Sequence, residues 1–166
     1  MPEARFRAAV ITVSDRGSRG ERTDTSGPEI AGMLENHGVE IVSRLLVPDE
    51  RDIISRALLE LCDSHQIDVI LTTGGTGVSP RDVTPDATRD VIDREIPGMA
   101  EEMRRQSGLA TPHAMISRAI VGIRGRTLII NLPGSPRGAR ENLSVLLPAL
   151  NHAMEKIQGD ETDCAT

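Results

Sequence analysis

What most restricts the fold is a recurring unit: an apolar-rich run, a short loop of Gly, Ser, Asp or Pro, then a stretch with helical apolar spacing. Ala8 to Val13 ends in Ser14-Asp15-Arg16-Gly17-Ser18, Val39 to Val47 in Pro48-Asp49-Glu50, and Ile67 to Thr73 in a glycine-rich loop. A strand apolar at successive positions must be buried on both faces, which a mostly parallel sheet covered by helices provides. Thr25-Ser26-Gly27-Pro28 supplies a cap and a first-turn proline, and Ile30, Ala31, Met33 and Leu34 form a stripe that stops at Asn36-His37-Gly38. Ile53, Ile54, Ala57, Leu58 and Leu61 form the core face of a second helix. The expected fold class is α/β, a three-layer sandwich around a mostly parallel central sheet.

Further along, Ala87 to Glu95 and Gly98 to Arg105 read as two helical stretches. Ala119 to Ile123 and Thr127 to Asn131, joined by Arg124-Gly125-Arg126, read as a hairpin that puts one antiparallel strand into the sheet. After Leu132-Pro133-Gly134-Ser135-Pro136 come a helix carrying Leu143, Val145, Leu146 and Leu147 and a further helical run, Ala149 to Ile157. Residues 1–158 are expected to form a single domain and residues 159–166 a flexible polar tail.

Composition narrows the function classes. Nineteen Lys and Arg against 25 Asp and Glu, with Phe6 as the sole aromatic, disfavour general nucleic-acid binding, which needs basic excess and stacking rings. Arg16, Arg19 and Arg22 could still meet a small anion, or be solvated loop charges. Cys62 and Cys164 are too far apart for metal-ligand spacing, and His37, His65, His113 and His152 form no zinc-like pair. With no apolar span of membrane length or signal-peptide type, a cytoplasmic, reducing setting and no membrane partner are expected.

In parallel sheets ligands bind outside the carboxyl ends of the strands, so the loops at Ser14-Asp15, Pro48-Asp49, Thr73 to Asp82 and Pro133 to Ser135 are expected to share one edge. Gly74, Gly75, Thr76 and Gly77 can turn backbone N–H groups toward a bound anion, with the helix starting near Thr84-Pro85-Asp86 adding partial positive charge; a plain tight turn is the alternative. Asp82 would repel bound phosphates unless a divalent cation lay between them, which makes it the first candidate for holding Mg2+; its other reading is a carboxylate that caps backbone N–H groups. Asp49, in Pro48-Asp49-Glu50, stands where it can cap the following helix. Ser14 and Asp15 could contact a ligand or stabilise a turn, and Ser135 could bind an anion or cap a helix. Asp86 and Thr84 are expected to organise the helix start.

Taken in order, Thr12-Val13-Ser14-Asp15, the run Thr72 to Gly77, Arg81 to Thr88, Pro97-Gly98-Met99 and Asn131 to Pro136 resemble the molybdopterin-binding domain of molybdenum-cofactor biosynthesis, in the arrangement of the stand-alone MoaB/Mog-type proteins. The resemblance runs from about Arg7 to Gly159. It implies adenylylation of molybdopterin by Mg-ATP with release of pyrophosphate, with Asp49 and Asp82 as catalytic carboxylates. It also implies that Ser14, Asp15, Gly74, Gly75, Thr76, Gly77, Ser107, Pro133, Gly134 and Ser135 bind the two substrates. A homotrimer or hexamer is expected from the same resemblance, as is contact with a molybdenum-insertion protein. A non-catalytic molybdopterin-binding or scaffold protein of the same fold is the alternative. His113 departs from the apolar or aromatic residue expected at its place, which bears on subunit or pterin packing.

Overall fold

The computed structural model describes residues 5–64 and 66–164, so His65 and the end of the expected tail lie outside the described residues. Six strands, β1 (Phe6–Val13), β2 (Val39–Val47), β3 (Val69–Thr73), β4 (Arg94–Glu95), β5 (Val121–Arg124) and β6 (Thr127–Leu132), form one sheet in the order β2-β1-β3-β6-β5-β4. β1 pairs in parallel with β2 and β3, and β3 with β6. β5 is antiparallel to both β6 and β4, so it alone runs against the others, as the hairpin reading expects. The helices are α1 (Asp15–Ser18), α2 (Ser26–Asn36), α3 (Arg51–Asp63), α4 (Thr84–Arg89), α5 (Pro97–Gly108) and α6 (Pro136–Ile157), with a short 3-10 helix at Pro112–Ile116.

Side-chain alternation along the buried strands sorts the core into two layers. Val10, Val69, Leu71, Leu128 and Ile130 face α2, α5 and α6, packing on Ile30, Leu34, Met103, Leu143 and Leu150. Ala9, Ile11, Ile70 and Ile129 face the other way, onto Ile54 and Leu58 of α3 and Ala87 of α4. Each of these large side chains, fully buried, contributes about 1.5–3 kcal/mol of transfer free energy. Because α2 and α3 cover opposite faces, the chain leaves β1 in one direction and returns past it in the other. The loops after β1 and β3 therefore diverge and leave a crevice at their carboxyl ends.

Local readings are revised at three places. The stretch expected to be helical from Ala87 to Glu95 is helical only to Arg89; Asp93 N–H then donates to the Ile123 carbonyl and Ile96 N–H to that of Val121, making β4 the sheet edge. The two carboxy-terminal helical runs are one 22-residue helix, α6, passing through Pro148. Leu143, Leu146, Leu150 and Met154 form one continuous buried stripe across that proline, and this packing outweighs the hydrogen bond that proline cannot donate. The loop read at Ser14 to Ser18 contains the helical turn α1, which Ser14 caps through Gly17 N–H.

Burial pushes the Cys62 thiol up to about 11, while Cys164 is exposed. Native protein at neutral pH is expected to be alkylated by iodoacetamide at Cys164 alone, with Cys62 reacting only on unfolding. Mass spectrometry of the labelled peptides checks this, and rapid native labelling of Cys62 would mean that α3 opens readily. Among the described residues no helix is long and apolar enough to cross a membrane, and no cluster of three or more His, Cys, Asp or Glu is placed to hold a metal by itself.

Candidate active site

A cavity of about 360 Å3 lies in the crevice between the ends of β1 and β3. Val13 and Ser14 follow from β1, Asp49 from β2, Gly74, Gly75 and Asp82 from β3, and Gly134 and Ser135 from β6. Sheet topology thus gathers the four predicted loops, although they are spread over more than 120 positions of sequence, from Ser14 to Ser135. A second cavity of about 280 Å3 is lined by Thr76, Gly77, Ser107, Pro133 and Ser135, together with Arg104, His113 and Asn142. Ser135 is common to both, so the predicted binding residues divide between two adjoining hollows. Asp15 lines neither; its carboxylate is taken by Arg81, at 2.9 and 3.0 Å.

The glycine loop is held at close quarters. Gly74 has φ of 108° and its N–H donates to the Leu132 carbonyl, while its own carbonyl accepts from the buried Thr84 hydroxyl at 2.9 Å. Gly134 approaches so closely that a Cβ there would lie 3.2 Å from the Gly74 Cα. Thr84 therefore does organise this corner, as expected, by tying the start of α4 to the end of β3.

The two acidic candidates differ in setting. Asp49 does not cap α3: the cap position is Glu50, and no side chain bonds there. Instead Asp49 and Asp15 exchange bonds, Asp15 N–H to Asp49 Oδ2 at 2.8 Å and Asp49 N–H to Asp15 Oδ1 at 3.0 Å. Asp82 does act partly as a loop cap, accepting from Ser79 N–H at 3.0 Å, yet it also faces the first cavity. Ser135 likewise caps α6 through Gly138 N–H while lining both hollows, so structural and binding roles coincide.

Burial raises the Asp49 pKa, with the charges of Asp15 and Asp82 acting in the same direction. The Asp15 carboxyl is held below the ordinary range chiefly by its bond to Arg81. The stability consequences have opposite signs. Asp49 binds its proton more tightly when folded, so its contribution falls as pH rises from the unfolded carboxylate value near 3.8 through its raised folded value. Asp15 contributes stability above the unfolded value, lost as pH falls through its lowered one. Asp49→Asn keeps an oxygen for the Asp15 N–H and removes a disfavoured charge. It is expected to melt slightly higher than the native protein at pH 7 and to lose that advantage as pH falls toward the unfolded carboxylate value. Melting curves of the two proteins against pH check this.

Sequence reasoning missed Asp24, which lines the first cavity and supplies the cap of α2 in place of Thr25: Oδ1 accepts from Gly27 N–H at 3.0 Å and Oδ2 from the Thr12 hydroxyl at 2.7 Å. An aspartate three residues before Gly27 has capping spacing and could have been read. Of the arginine cluster only Arg22 lines the cavity; Arg19 pairs with Glu21. Arg104 and Asn142 were also missed, and no local signal marks them. Asn142 Nδ2 donates to the Ser107 hydroxyl at 3.0 Å, holding a residue that was predicted.

The family model described as "Probable molybdopterin binding domain" matches residues 9–152. Molybdopterin adenylyltransferase of Helicobacter pylori 26695 is 41% identical over 153 residues, 91% of this chain and 87% of that protein. The Escherichia coli K12 protein of the same name is 44% identical over 141 residues, covering 83% of this chain and 72% of its own length. The crystal structure of the molybdopterin biosynthesis enzyme MoaB from Thermus thermophilus superposes with a TM-score of 0.88 at 51% identity, covering 93% of this chain and 97% of that one. A family model matching most of the chain, with relatives this similar in sequence and fold, shows that this chain belongs to the molybdopterin-binding domain family of molybdenum-cofactor biosynthesis.

Proposed function

We propose that the protein is a molybdopterin adenylyltransferase. A terminal phosphate oxygen of molybdopterin attacks the α-phosphorus of ATP, a new P–O–P linkage forms, the α–β bond breaks, and pyrophosphate leaves. Such a transfer asks the protein for alignment and charge neutralisation rather than covalent help. The observation that carries the reading is the meeting of Asp49, Asp82 and the Gly74-Gly75 turn in one crevice that adjoins a second hollow through Ser135.

Two carboxylates facing one cavity, one of them raised in pKa partly by the other's charge, form a site in which a cation relieves repulsion. Asp82, with Asp49 lining the same cavity, would hold Mg2+, which would supply charge neutralisation for the substrate phosphates. The chain's own part is to orient. Gly74 and Gly75 bring backbone close to the phosphates, Ser14 and Ser135 add hydroxyls to the lining of the same cavity, and Thr76, Gly77, Ser107 and Pro133 bound the neighbouring hollow for the second substrate. Asp15 acts one step back, through its exchanged bonds with Asp49. Exposed Val78, Leu109, Met115 and Ile116 near the second hollow support assembly into a homotrimer or hexamer and docking of a molybdenum-insertion protein, in a cytoplasmic setting.

The deciding experiment incubates the protein with molybdopterin and Mg-ATP and looks for adenylylated molybdopterin by mass spectrometry. Product supports the transferase; tight molybdopterin binding without product moves the reading to a scaffold of the same fold.

A further inference from the structure

We propose that Arg118 is a positioning residue for the transfer site, clamping residues 76–86 into one rigid arch that carries Asp82; this rests on the transferase reading above. Arg118 lies between the 3-10 helix and β5, and it lines neither cavity. Its backbone N–H donates to the Thr76 carbonyl at 2.8 Å, and its Nε donates to the Gly77 carbonyl at 2.8 Å. Nη2 donates to the carbonyl of Asp82 itself, and Nη1 and Nη2 reach the Asp86 carboxylate at 3.3 and 3.0 Å. One half-buried guanidinium therefore touches the loop at its start, at the acidic residue and at the start of α4.

Besides Arg118, the span between those points is tied by Arg81, whose guanidinium bonds the Asp15 carboxylate and Glu50. Val78, Ser79, Pro80 and Arg81 are exposed, and the Asp82 carboxylate bonds only locally, to Ser79 N–H. Holding three acceptor groups that point in different directions requires a planar fork of fixed donors; a lysine ammonium on a flexible stem cannot satisfy them together. Asp86 is the anchor of the fork, and its carboxyl is held below the usual range by Arg118. The β5–β6 pairing does not use the guanidinium, so the clamp bears on the arch and not on the sheet.

The test uses the full chain with Arg118→Lys and, as a gentler variant, Asp86→Asn, which keeps an acceptor but removes the anchor's charge. Hydrogen exchange is read peptide by peptide, and turnover is measured with molybdopterin and Mg-ATP. Arg118→Lys is expected to speed exchange in residues 76–86 by about tenfold or more while β1, β3 and β6 stay protected. With it, kcat should fall by about 10²-fold and the Mg2+ needed for half-maximal rate should rise, with KM for molybdopterin little changed. Asp86→Asn should lie between the two. Wild-type exchange in the arch, faster exchange with unchanged kcat, or loss of protection throughout the sheet each overturn the clamp. Should Arg118→Lys fail to fold, Asp86→Asn decides by the same criteria. If the native protein forms no adenylylated product, the transferase reading fails, and exchange in the arch alone then decides whether Arg118 holds it.

Discussion

Asp82→Asn is expected to lower Mg2+-dependent adenylyl transfer by about 10²–10³-fold, the range seen when one preorganised electrostatic group is removed from a transferring centre. The substitution is informative because it separates the two roles that the structure superimposes on this residue. The asparagine oxygen can still accept from Ser79 N–H, and the Arg118 contact is to the backbone carbonyl, so the arch should keep its shape. What disappears is the negative charge facing the cavity shared with Asp49 and the glycine turn. Molybdopterin binding, measured by equilibrium titration without ATP, should therefore be largely intact while turnover collapses. A variant that turns over like the native protein would reduce Asp82 to a loop cap and leave Asp49 as the carboxylate proposed to hold Mg2+.

Gly74→Ala is expected to damage both folding and turnover, because at this position the two depend on the same atoms. Its φ of 108° is one that L side chains rarely adopt, and a Cβ there would sit 2.3 Å from the Val13 carbonyl oxygen. Val13 cannot yield easily, since it ends a strand paired to β2 on one side and flanked by β3 on the other. The disfavoured backbone costs about 1–2 kcal/mol, and forcing an extra carbon into a packed site adds about 1–3 kcal/mol. Relief by moving Gly74 would break its bonds to Leu132 and Thr84 and shift Gly75 relative to Asp49. Denaturant unfolding should show the loss of stability, and turnover of the folded fraction should fall by about 10²-fold as the phosphate turn is displaced. Gly32→Ala in α2 is the control: a Cβ there meets nothing within 4 Å, and the helix should gain about 0.5–1 kcal/mol. A native-like Gly74→Ala protein would show that the turn tolerates rearrangement and is not a preformed cradle.

Much of the architecture was legible because the signals are local. Strand interiors such as Ala8 to Ile11 and Val69 to Leu71 announce double-sided burial through unbroken apolar character, and the Arg124-Gly125-Arg126 turn marks the hairpin that reverses β5. The errors fell where pairing or packing at long range overrode local preference. Residues 90–95 carry no strand pattern of their own, yet β5 offers an unpaired edge, and Gly122 leaves room for Ile92 beside it. Pro148 reads as a break until one sees that the stripe of α6 stays in register across it.

The site divides in the same way. Residue types alone left the glycine turn and Asp82 open between structural and binding readings, and the family resemblance is what singled them out together with Asp49. The sequence by itself thus determined the layers and the edge on which the loops meet. Tertiary structure decided which of their residues meet: that Asp15 is taken by Arg81 while Asp49 is left facing the cavity, that Asp24 gives the capping bond read for the run Thr25 to Pro28, and that Arg118, 36 positions from Asp82, holds the arch. Partnerships of that kind depend on distances that exist only after the sheet has brought remote segments together, and no local spacing encodes them.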